Sequence, residues 1–127
     1  MPRVLIVDDD PSICRLIAAG LCQEGIKCDE AYNGEQALQK LCRATADGQA
    51  YDALVLDIVM PVLDGWQVLE AIKSNPLWKN IRVVVLTGRA TSTEDVARVS
   101  GYNGVFVEKK GPFPHLLEVI LARLLAQ

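Results

Sequence analysis

The chain holds one histidine, His115, among its 127 residues, and no apolar run comes near the ~18 residues that a membrane span needs. A single histidine excludes a multi-histidine metal centre and argues against a Ser-His-Asp triad. Excess positive charge is also missing: 13 Lys and Arg stand against 16 Asp and Glu, for a net charge of −3. Direct nucleic-acid binding and docking on an anionic membrane both need clustered positive charge, so neither is expected. The four cysteines, Cys14, Cys22, Cys28 and Cys42, lack the close paired spacing of zinc ligands. They read as small core hydrophobes, without bridges. The sequence enters a strand after Pro2-Arg3, so no signal peptide and a cytoplasmic location are expected. Internal repeats and low-complexity tracts are absent, and the length suits one domain spanning residues 1–127.

What is present is an alternation of apolar strand runs with helical spacing. Val4 to Val7 reads as a buried strand ending in Asp8-Asp9-Asp10-Pro11. Asp10 then serves as N-cap and Pro11 as first residue of a helix carrying Ile13, Leu16, Ile17, Gly20 and Leu21, ended by Gly25. Ile26–Ala31 predicts a second strand, and Asn33-Gly34 opens a second helix with Ala37, Leu38 and Leu41 inward. Tyr51–Asp57 is a third strand, and Asp64 to about Ser74 a third helix with Val68, Leu69 and Ile72 inward, stopped by Asn75-Pro76. Ile81–Leu86 and Gly104–Glu108 are further strands. Between them Thr91 or Ser92 caps a fourth helix reaching about Ser100, and a fifth runs from about His115 to Ala126.

Alternation with buried central strands implies a parallel sheet covered on both faces. The expected architecture is an α/β, flavodoxin-like (βα)5 three-layer sandwich with a five-stranded sheet of order 2-1-3-4-5. That order puts Asp8, Asp9 and Asp57 in the crevice between the first and third strands, where ligands of such sheets bind. Thr87 ends the neighbouring fourth strand and Lys109 follows the fifth.

Carboxylates so gathered repel by on the order of 4 kcal/mol per pair at about 4 Å and an effective dielectric near 20. Proton uptake, separation or a cation must relieve this, and an all-oxygen donor set suits Mg²⁺, which takes one or two carboxylates plus a phosphate. A hydroxyl from Thr87 and an ammonium from Lys109 suit the remaining oxygens of a phosphoryl group. Attack of a carboxylate on phosphorus would then form an aspartyl phosphate.

The acidic pair Asp8-Asp9, the Asp57 loop with Met60-Pro61 and Asp64-Gly65, Thr87 and Lys109 together make the chain resemble, over essentially its whole length, the receiver domain of two-component response regulators. The resemblance implies that Asp57 is the phosphoacceptor for a histidine kinase or phosphotransfer protein. It also implies that Asp8, Asp9, Asp57 and the backbone carbonyl of Val59 hold Mg²⁺, with Mn²⁺ as a substitute. Thr87 and Lys109 would bind the phosphoryl oxygens, and Thr87 with Phe106 would form the switch. Such a module is a signalling switch that catalyses only its own phosphorylation and dephosphorylation. Its target is a downstream protein or a fused domain.

The segment after the lysine departs from the family: it reads Lys109-Lys110-Gly111-Pro112-Phe113, leaving Lys110 as a rival, although Phe106 stands three residues before Lys109 as the switch aromatic should. Phe106 lacks a hydroxyl, so a switch there works by packing alone. Two other readings stay open. One is a haloacid-dehalogenase-like phosphatase using Asp8-x-Asp10; the other is a receiver-like interaction module that is never phosphorylated. Lys79, Arg82, Arg89 and Arg98 read as solvated surface, and Trp66 and Trp78 as packing or partly exposed anchors. On the last helix, His115, Glu118, Ala122 and Ala126, with Val119 among them, form a weakly polar face for a partner, a neighbouring domain, or a homodimer through the fourth and fifth helices. With Gln127 as the last residue of this sequence, a stand-alone receiver or one excised from a longer regulator is expected.

Overall fold

Runs of valine, leucine and isoleucine make three of the five strands; the fifth, GVFVE, adds a phenylalanine between two valines, and the second, KCDEA, departs furthest from that composition. The computed structural model describes residues 2–57, 65–87, 97–98, 101, 104–108 and 113–125. The strands are β1 (Arg3–Val7), β2 (Lys27–Ala31), β3 (Ala53–Asp57), β4 (Arg82–Thr87) and β5 (Gly104–Glu108). All pair in parallel, in the order β2-β1-β3-β4-β5. The half-exposed composition of β2 fits its place at an edge. The described helices are α1 (Pro11–Gln23), α2 (Gly34–Ala46), α3 (Gly65–Ser74) and the C-terminal helix (Phe113–Leu125), with a 3-10 turn at Pro76–Trp78. This is a flavodoxin-like α/β fold. The expected fourth helix lies outside the described residues, apart from Ala97 and Arg98, which are helical.

Alternation along each strand divides the core into two layers. Leu5, Val7, Leu54, Leu56, Val83 and Val85 face α2 and α3, meeting Ala37, Leu41, Val68, Leu69 and Ile72. Val4, Ile6, Val55, Val84 and Leu86 face the other way, toward Cys14, Ile17 and Leu21 of α1 and Ile120 of the C-terminal helix. Where those two helices meet, a Cβ on Gly20 would come within 2.3 Å of the Leu117 side chain, so glycine permits the close approach. The starts of α1 and α2 have local causes. Asp10 caps α1 through a bond from the Ser12 amide at 2.9 Å, and Asn33 caps α2 through the Gln36 amide at 2.8 Å. The Tyr32 amide donates in turn to the Gln36 side-chain oxygen at 2.9 Å, a capping box displaced by one residue.

Several expectations need correction. Cys14 is buried and Cys28 half-buried, but Cys22 and Cys42 are exposed, and all four are free thiols. Leu16 is 56% exposed because the buried stripe of α1 is Cys14, Ile17 and Leu21, which lie about 100° to 160° of helix rotation away. Val119 packs against the core, while His115, Glu118 and Ala122 are exposed as expected. The last helix begins at Phe113, since proline is tolerated in a first turn. Arg82 is no mere solvated charge: its guanidinium donates to the carbonyls of Arg123 and Leu124 at 3.2 and 3.1 Å. Arg98 is exposed but lies over the Trp66 ring, 4.0 Å from its centroid. Trp78 is buried and its indole N–H donates to the Thr45 hydroxyl at 2.9 Å.

At the N-terminal end of the sheet, Arg3 organises a polar cluster. Its guanidinium pairs with Asp29 at 3.3 Å, reaches the Gln49 carbonyl, and lies over the Tyr51 ring, 5.0 Å from the centroid. Tyr51 in turn donates to Asp29 at 2.6 Å, and the Arg3 amide donates to Asp52 at 2.8 Å.

Candidate functional site

Sheet register builds the site. Val7 of β1 lies opposite Leu56 of β3, so the next residues, Asp8 and Asp57, leave the sheet side by side. Asp8 is 2% exposed and Asp57 7%, the buried charged residues among those described, while Asp9 is exposed. One oxygen from each of Asp8, Asp9 and Asp57 can be chosen so that all lie within 4.8 Å of one another. Burial of a carboxylate is costly unless a charge partner or hydrogen bonds offset it. Three hard oxygen donors at this spacing fit a divalent cation of the Mg²⁺ class, with waters completing the shell.

The turn carrying the acidic pair is held from several sides. The Asp8 amide donates to the Ala31 carbonyl of β2 at 3.1 Å, and the Asp10 amide donates to Asp8 Oδ1 at 3.0 Å. From α1, the Cys14 thiol lies 3.4 Å from the Asp8 carbonyl and 3.9 Å from that of Ala31. Burial, and then the negative charge of Asp8 and Glu30, push the Cys14 thiol up to about 12, so it remains protonated at neutral pH. Cys14 gave no sign of this role in the sequence, where it is one apolar position of a helical stripe.

Asp10 stands apart from Asp8 and Asp9 in function: its carboxylate is committed to the α1 cap. That removes the second acid of the Asp8-x-Asp10 motif and leaves the phosphatase reading without its pair. Thr87 closes β4, one residue beyond the Leu86 that pairs with Asp57, and its backbone lies opposite Glu108 of β5. Phe106 lies in β5 opposite Val85. Val59, Lys109 and Lys110 lie outside the described residues. Among the described residues, no helix is long and apolar enough to cross a membrane.

A parallel sheet with a triad of acids at its switch point places them in the crevice where ligands of open α/β sheets collect. Residues 4–121 match the model of the response regulator receiver domain. The chain therefore belongs to that family, whose members are the phosphoryl-accepting signalling switches of two-component systems. It is 33% identical over 124 residues to the transcriptional regulatory protein TcrA of Mycobacterium tuberculosis, covering 98% of this chain and 45% of that one. Against the transcriptional regulatory protein PrrA of Mycobacterium bovis it is 34% identical over 125 residues, covering 98% and 49%. The chain thus spans about half the length of these curated relatives. Among solved structures, the chemotaxis protein CheY4 of Vibrio cholerae superposes with a TM-score of 0.82 at 28% identity, covering 98% of this chain and 99% of that one.

Proposed function

We propose that residues 1–127 form one receiver domain that accepts a phosphoryl group on Asp57 from a histidine kinase or phosphotransfer protein. The observation that carries this reading is the convergence of buried Asp8 and Asp57 with exposed Asp9. An Asp57 oxygen attacks phosphorus and forms a new O–P bond. The P–N bond of the phosphohistidine breaks, and its electron pair stays on the departing imidazole. Water later attacks the acyl phosphate, returning Asp57 and inorganic phosphate, so the domain acts on itself and is not an enzyme in the usual sense.

Asp8, Asp9, Asp57 and the Val59 carbonyl are the residues that would hold Mg²⁺, or Mn²⁺ in its place. When bound, the ion cancels charge between the carboxylates and the phosphoryl oxygens. Thr87 donates a hydrogen bond to the phosphoryl group and Lys109, rather than its neighbour Lys110, neutralises it. Thr87 and Phe106 then act as the switch, and the surface from the fourth strand to the last helix changes with them. The complete (βα)5 sandwich, with its fourth helix in residues 91–100, is part of this reading. So are a cytoplasmic location, a downstream target or fused domain, and a homodimer through the fourth and fifth helices.

Acetyl phosphate and Mg²⁺ provide the test, with intact mass as the readout. The unaltered chain should gain one phosphoryl group, Asp57→Asn none, and Asp8→Asn should be slowed at least about tenfold. Stable uptake by Asp57→Asn together with its loss in Asp8→Asn would overturn the assignment.

A further inference from the structure

We infer that Cys14 is a positioning residue for the acidic site, acting through its thiol hydrogen on the backbone of Asp8. This rests on the assignment of Asp8 as a cation ligand. Asp8 is the first residue after β1, where the chain turns toward α1, and it is buried, with its carbonyl facing the Cys14 thiol. The Cys14 sulfur, 0% exposed, lies 3.4 Å from that carbonyl. It is also 3.9 Å from the carbonyl of Ala31, which already accepts the Asp8 amide. One side chain from α1 thus touches both sides of the peptide junction from which the Asp8 carboxylate projects. The same turn presents that carboxylate to the Asp10 amide, 3.0 Å away. A small apolar side chain would fill the space equally well, but it offers no hydrogen to either carbonyl, and the turn would then be set by packing alone. Outer partners that fix the orientation of a metal ligand typically influence affinity by about 10- to 100-fold; a sulfur donor acting on a backbone carbonyl belongs at the lower end.

The test compares Cys14→Ala, which removes the donor, with Cys14→Ser, which keeps one, using the whole chain. Amide NMR of Asp9 and Asp10 during MgCl₂ titration gives the cation affinity, and exchange of the Asp10 amide without metal reports the turn directly. Thermal melts follow the packing loss, which both variants share. The expected result is Mg²⁺ affinity about tenfold lower in Cys14→Ala, with faster Asp10 exchange, and both restored at least in part by Cys14→Ser. Equal Mg²⁺ affinity and equal Asp10 exchange in all three proteins would reduce Cys14 to core packing. An equal loss in both variants, following the melting temperature, would do the same. An unaltered chain with no saturable Mg²⁺ response would instead remove the cation assignment on which the inference stands, and is told apart by appearing before any substitution.

Discussion

The two ends of the sheet handle charge in opposite ways. At the N-terminal end, the Arg3 guanidinium pairs with Asp29, which also accepts from the Tyr51 hydroxyl, and Gln49 and Asp52 accept further donors of Arg3, leaving its buried Nε without a hydrogen-bond partner among the described residues. At the C-terminal end, Asp8, Asp9 and Asp57 bring like charges within 4.8 Å. The first arrangement spends its polar groups on closing the fold. The second gathers charges of one sign where the strands end.

Breaking the comparison at the acidic end has the largest expected effect. Without divalent metal, Asp8→Asn should raise stability by about 2 kcal/mol, since it removes part of a like-charge repulsion of on the order of 4 kcal/mol per pair. Urea midpoints with EDTA check this, and added Mg²⁺ should reverse the ranking. A variant less stable than the parent in EDTA would show that Asp8 is satisfied as a structural charge.

At the opposite end, Tyr51→Phe should cost about 1.5–3 kcal/mol, the worth of a hydrogen bond to a charged acceptor, and leave phosphoryl uptake unchanged. Its pH dependence has a definite sign. Burial first, then the hydrogen bond to Asp29 and that carboxylate's charge, raise the Tyr51 hydroxyl above its ordinary range. Its contribution is therefore fully present below the unfolded value of about 10 and is lost as pH rises toward the folded one. Urea midpoints of the parent should fall more steeply above about pH 10 than those of Tyr51→Phe. Cys14 and Cys28, also raised by burial, titrate in both proteins and cancel in the comparison.

The smallest effect is expected at the Trp66–Arg98 stack, which joins the first turn of α3 to the segment after β4. Arg98→Ala should lower stability by about 0.5–1 kcal/mol and shift Trp66 emission. An unchanged spectrum would show that the Arg98 guanidinium does not sit on the Trp66 ring in solution.

The acidic crevice was legible because strand ends are marked by an abrupt change from valine and leucine to aspartate, and parallel pairing follows from alternation. Asp10 was legible as a cap because proline follows it. The helical phase of α1 was less so: Leu16 and Cys14 both fit a 3.6-residue period, and only packing against β1 chooses between them. Exposure of Cys22 and Cys42 could not be read from residue type, since cysteine is indifferent to which face of a helix it occupies when a larger apolar residue fills the core. Contacts such as Arg82 with the end of the C-terminal helix join residues about forty positions apart and leave no local pattern.

That last contact has a mechanical consequence. At its first residue β4 grips two carbonyls in the final turns of the C-terminal helix, and at its last residue it carries Thr87. A strand paired on both sides scarcely stretches, so β4 is a tie rod between the crevice and the far end of that helix.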